Sequence, residues 1–116
     1  MDRFIAAVGL LFLMVPGNAN AEVGLEGVRF LPPETTVRAG DTVRWVHRDS
    51  GLFHHVAADD GSFDSHPTCG RPAGVCMRGG ETYSHTFLSP GVYRYHCRLH
   101  SSGRDGMVGT ITVVER

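Results

Sequence analysis

Residues 22–116 of the sequence predict an all-β chain folded as a sandwich. Short runs rich in β-branched and aromatic residues alternate with Gly, Pro and Asp, and no stretch keeps a helical period for long. The turn clusters Pro32-Pro33-Glu34, Ala39-Gly40-Asp41, Asp59-Asp60-Gly61, Arg78-Gly79-Gly80 and Ser89-Pro90-Gly91 recur at a spacing that suits strands of two packed sheets.

The chain opens with a different pattern. Arg3 and the amino terminus precede an apolar run from Phe4 to Val15, and Ala19-Asn20-Ala21 offers small residues at cleavage spacing. Residues 1–21 are therefore expected to be a secretory signal, with Glu22 opening the mature protein and 22–116 forming one domain. The apolar run is shorter than the roughly 20 residues of a membrane-spanning helix, so no stable membrane insertion is expected. A periplasmic or secreted protein follows.

Two runs show strand alternation well. Asp41 to Val46 puts Val43 and Trp45 on one face, and Val92 to Cys97 puts Tyr93, Tyr95 and Cys97 on one face. The segment 61–80 is the least regular and is expected to be a long excursion with little strand. The formal net charge is −1, all basic residues are arginines, and they are scattered along the chain, which argues against nucleic acid as a partner.

The chemistry concentrates near the C-terminus. Cys97 and His100 lie three apart where a tight loop between two strands is expected, and Met107 follows seven residues after His100. A thiolate, imidazole and a weak thioether are the donor mixture of a type 1 copper site, which needs one further imidazole.

Here the sequence resembles the cupredoxins, and within them the plastocyanin, amicyanin and pseudoazurin branch. The resemblance rests on Gly40-Asp41-Thr42-Val43-Arg44-Trp45, then Asp49, then His54-His55-Val56, then Asp60-Gly61-Ser62-Phe63-Asp64-Ser65. It continues in Gly91-Val92-Tyr93-Arg94-Tyr95-His96-Cys97-Arg98-Leu99-His100. It implies a Greek-key β-sandwich holding one copper ion. It also implies His54 as the upstream ligand, beside Cys97, His100 and Met107.

Adjacent His55 competes for that role. Parity favours His54, which shares a face with Val56 and Ala58, whereas His55 goes with Phe53 and Ala57. Relatives often carry Asn at the position of His55, where the backbone N–H donates to the thiolate. Met77, the other mature methionine, lies in the irregular segment and is the weaker axial candidate. Ser101 to Asp105 must bulge to bring Met107 in, and Leu99 stands where the family often has Pro. Among the remaining histidines, His85 is expected to pack and hydrogen-bond in the core, His47 and His96 to face away from copper, and His66 to sit in the loop.

Cys69 and Cys76 enclose a turn-rich stretch and predict a disulfide in an oxidising compartment. A second metal site that adds His66 is the competing reading. The resemblance implies an electron carrier and not an enzyme, because copper oxidases and nitrite reductases need further domains and further histidines. By the same resemblance His100 is the electron port, emerging through an apolar patch of Leu52, Phe53 and Leu99. Transient redox partners would dock on the monomer there, and Arg98, between two ligands, could assist. A copper-binding or copper-delivery protein on the same fold is the alternative.

Overall fold

Alternation along the strands decides which side chains meet between the sheets. The structure is a computed structural model and describes residues 20–116. Its strands are β1 (Asn20–Glu26), β2 (Arg29–Leu31), β3 (Glu34–Arg38), β4 (Thr42–His47), β5 (Ala57–Ala58), β6 (Thr82–Thr86), β7 (Gly91–Ser102) and β8 (Asp105–Val114). One sheet has the order β2-β1-β4-β6 and the other β3-β8-β7-β5. The β1/β4 and β3/β8 pairs are parallel and the rest antiparallel. The all-β expectation holds, and no helix occurs among the described residues.

Val43 and Trp45 of β4 and Tyr95 and Cys97 of β7 all point into the core, as their parity predicts. Trp45 is its centre, with ring centroids 5.5 Å from Phe63, 5.7 Å from Tyr83 and 5.3 Å from Tyr95. Such aromatic pairs add about 0.5–1.5 kcal/mol each beyond their burial. Leu25, Phe30, Phe87, Met107 and Ile111 close the core around them.

All five turn clusters fall at strand boundaries, with Glu34 and Gly91 opening β3 and β7. Segment 61–80 carries no strand; isolated bridges pair its Asp64 with Ala57 of β5 and its Met77 with His54, which lies before β5. Most of the expected secretory signal, residues 1–19, lies outside the described residues. Asn20 and Ala21 begin β1, opposite Thr42 and Val43 of β4.

β7 and β8 lie so close that Gly109 has room for no side chain: a Cβ there would overlap the ring of Tyr95, its cross-strand partner. Gly109→Ala is expected to cost about 1–3 kcal/mol by overpacking. Urea unfolding measures this, and an unchanged midpoint would show that the ring swings aside freely.

Candidate metal centre

The β7/β8 ladder is regular from Gly91 to His96 and resumes at Ser101, with a register break between them. His96 pairs with Val108 and Ser101 with Gly106, so the four residues from Cys97 to His100 stand opposite Met107 alone. A strand with surplus residues must buckle, and this one re-aims its side chains locally. Cys97 turns into the core with no exposure, His100 stays half-buried, and Arg98 and Leu99 reach solvent.

The expected bulge over Ser101 to Asp105 takes another form. Those residues close a hairpin tip, with Ser101 paired to Gly106 and Ser102 to Asp105 around Gly103-Arg104. Gly106, at φ +88°, is needed there, since a Cβ would come 2.5 Å from the His100 carbonyl oxygen.

His54 arrives from the segment before β5, paired with Met77 through His54 N–H to Met77 O (3.0 Å) and Met77 N–H to His54 O (2.8 Å). One potential ligand atom from each of His54, Cys97 and His100 lies within 4.8 Å of the others. Cys97 Sγ is 3.4 Å from His100 Nδ1, and the His54 and His100 ring centroids are 5.2 Å apart. His54 Nε2 donates to Asp49 Oδ2 at 2.7 Å, which leaves Nδ1 with its lone pair buried and without a hydrogen-bond partner. A buried unpartnered acceptor is costly. Beside a thiol and a second imidazole, it fits a soft metal ion.

His55 is as buried as His54 but belongs to the other side. Its Nε2 lies 2.5 Å from Asp64 Oδ1, and its neighbours Val56 and Ala58 join the core while Ala57 does not. Parity therefore separates the two rings even though both are buried. Burial pushes the Cys97 thiol up from its ordinary pKa, while backbone N–H groups of Leu99, His55 and His100 pull it down. The N–H of His55 thus faces the sulfur, as the resemblance implied.

Met107 is fully buried at the head of the register break, whereas Met77 is buried where its backbone bridges His54. Cys69 and Cys76 form a disulfide, so neither thiol is left for a metal site with His66. His66 Nδ1 instead lies 3.0 Å from Ser65 Oγ. His96 faces outward and meets Asp59 Oδ1 at 2.6 Å. The ring of His85 packs 4.9 Å from that of Phe63 and 4.8 Å from that of Phe87.

His47 corrects an expectation. It does not face away: its ring is buried, 4.5 Å from that of His54. Its Nε2 donates to Leu52 O (2.9 Å) and its Nδ1 accepts from Asp49 N–H (3.2 Å), so both nitrogens are engaged. Although His47, Asp49 and His54 cluster as tightly as a metal site, they form a support. The signal was available, because His47 continues the inward parity of Val43 and Trp45.

Comparison with known proteins places this geometry. Residues 18–114 match the family model of copper binding proteins, plastocyanin/azurin family. The chain belongs to this family. It is 35% identical over 89 residues to plastocyanin of Scenedesmus fuscus, covering 72% of this chain and 85% of that one. To amicyanin of Paracoccus versutus it is 36% identical over 88 residues, covering 74% of this chain and 61% of the relative's length. The crystal structure of amicyanin from Paracoccus versutus superposes with a TM-score of 0.60 at 33% identity, covering 85% of this chain and 84% of that one. This cupredoxin therefore binds copper, through a fold built as a two-sheet sandwich.

Burial lowers the pKa of His54, His55 and His85, chiefly by desolvating their charged forms. Below the ordinary histidine value of about 6.5 the unfolded chain takes up protons that the folded one refuses. Their contribution is complete above that pH and is lost as pH falls towards the folded values. The thermal midpoint of the metal-free protein should therefore drop on acidification below about pH 6.5, and His85→Phe should make that drop shallower. A midpoint flat down to the carboxylate range would contradict burial of neutral rings.

Proposed function

We propose that this cupredoxin carries single electrons through one type 1 copper, which His54, Cys97 and His100 would hold, with Met107 as a weak thioether donor. The observation that supports it most is the convergence of one thiol and two imidazoles, with the buried Nδ1 of His54 lacking any other partner. Bound copper supplies the redox chemistry by passing between Cu(I) and Cu(II).

The chain's own residues do the rest. Asp49 holds the Nε2 proton of His54 and so presents Nδ1 as the donor atom. Three backbone N–H groups spread the thiolate charge of Cys97. The half-buried ring of His100 gives the route outward, with exposed Leu99 preceding it in the chain and exposed Leu52 and Phe53 preceding His54. Such a patch suits brief docking of redox partners on a monomer. Export with cleavage after Ala21, to the periplasm or beyond, would start the mature chain at Glu22 within β1.

Titration of the mature protein with Cu(II), followed by visible absorption and voltammetry, tests the reading. An intense thiolate-to-copper band with reversible cycling is expected, Cys97→Ser should abolish the band, and His55→Ala should largely keep it. A protein without the band overturns the type 1 assignment, and a blue but non-cycling one points to copper delivery instead.

Because the buried thiol must lose its proton to bind, copper affinity should rise with pH. Asp49→Ala should weaken copper binding by about 10–100-fold, measured by competition with a chelator. Affinity equal to wild type would show that the His54 tautomer needs no carboxylate.

A further inference from the structure

Segment 61–80 has no strand of its own, yet it touches both chain segments that supply copper donors. At one end Met77 pairs with His54 by two backbone hydrogen bonds. At the other, Arg98 Nη1 donates to the Cys69 carbonyl at 2.8 Å. Arg98 directly follows Cys97, and Cys76 directly precedes Met77. The disulfide Cys69–Cys76 joins the two anchor points.

We propose that Arg98 and the Cys69–Cys76 disulfide act as one brace that fixes the spacing between the His54 segment and the Cys97–His100 segment, with Arg98 as a positioning residue. The inference rests on the copper site proposed above.

The ring closed by the disulfide is wound tightly enough to transmit position. Arg71 N–H donates to Thr68 O (3.0 Å), Gly74 N–H to Arg71 O (2.8 Å) and Val75 N–H to Thr68 Oγ1 (3.0 Å). Ala73 holds a left-handed φ of 59°, a conformation that a non-glycine residue keeps only where its surroundings impose it. Gly74 has no room for a Cβ against the Thr68 carbonyl.

Arg98 is seated as well as bonded. A Cβ on Gly70 would come 3.1 Å from Arg98 Cδ, so the arginine stem lies across a glycine that leaves space for it. Its Nη2 is 3.8 Å from Asp64 Oδ2, and Asp64 Oδ1 takes His55 Nε2 (2.5 Å) and His66 N–H (3.0 Å). The guanidinium therefore reaches both the disulfide ring and the carboxylate that holds the residue after His54. A lysine could make one of these contacts and lacks the planar fork that reaches both. Opening the disulfide would remove the covalent cross-link between the Cys69 and Met77 anchors and leave only hydrogen bonds within the ring to keep their spacing.

The test compares wild type with Cys69→Ser/Cys76→Ser, Arg98→Ala, Arg98→Lys, the disulfide and Arg98→Ala changes combined, and Arg94→Ala as a control on the same strand. In the metal-free proteins, amide hydrogen exchange at His54 and Met77 is read. In the copper-loaded proteins, the thiolate-to-copper band, the copper hyperfine splitting and the rate of copper loss to a chelator are read. Removing the disulfide or Arg98 should each speed exchange at both amides, shift the spectrum, and accelerate copper loss by about tenfold. Combining them should add little, since both break one mechanical link. Arg98→Lys should fall between, and Arg94→Ala should match wild type. Multiplying effects, or an Arg98→Ala spectrum identical to wild type, would overturn the brace. If wild type itself gives no thiolate band, the copper assignment fails, and unchanged amide exchange in the metal-free variants is what separately defeats the brace.

Discussion

The geometry of the site depends on one mismatch of length: four residues of β7, Cys97 to His100, stand opposite one residue of β8, Met107. The ladder on either side is regular, so the surplus cannot be spread along the strands and must be absorbed at one place. That local buckle aims a thiol inward, leaves an imidazole half-exposed and seats a methionine at its head. The core below, with Trp45, Phe63 and Tyr95 in ring contact, gives the buckle a stiff floor.

Burying several histidines around such a buckle is possible only because each is given an acceptor. Asp49 takes the Nε2 proton of His54, Asp64 faces Nε2 of His55, and the Leu52 carbonyl takes the Nε2 proton of His47. The hydrogen bond to His54 in turn holds the Asp49 carboxyl below its ordinary pKa, helped by the N–H of Gly27. Desolvation outweighs these partners for His54 and His55, so both rings stay neutral and keep a lone pair. Neutral imidazole is the form that binds a metal, and the cost of acid sensitivity comes with it.

Local pattern made much of this legible. Turn residues marked the strand boundaries, parity placed Val43, Trp45, Tyr95 and Cys97 inward, and spacing singled out Cys97, His100 and Met107. What pattern missed was set by partners distant in sequence. His47 was read as facing away from copper, although the parity of β4 already pointed it inward, because its acceptor comes from Leu52 beyond the strand. Ser101 to Asp105 was read as a bulge, because a Cys-to-Met interval says only how long the connection is. Cross-strand pairing, which depends on Gly103 and Gly106 accepting positive φ, turns it into a hairpin tip. Arg98 was read only as a docking aid between two ligands until its acceptor, 29 residues away, was in view.

The same distant partners answer a question that the sequence raises about stiffness. Leu99 replaces the proline that relatives often carry before the second histidine, and a proline ring would restrict that loop directly. Here the restriction is spread over tertiary contacts. Ser101 Oγ donates to the Cys97 carbonyl at 2.7 Å, Gly106 lies against the His100 carbonyl, and Arg98 ties the exposed side of the loop to Cys69. Each contact removes a freedom that proline would have removed from φ alone, and together they act on both sides of His100. A loop held this way can expose Leu99 as an apolar contact beside His100 without loosening the buckle beneath it.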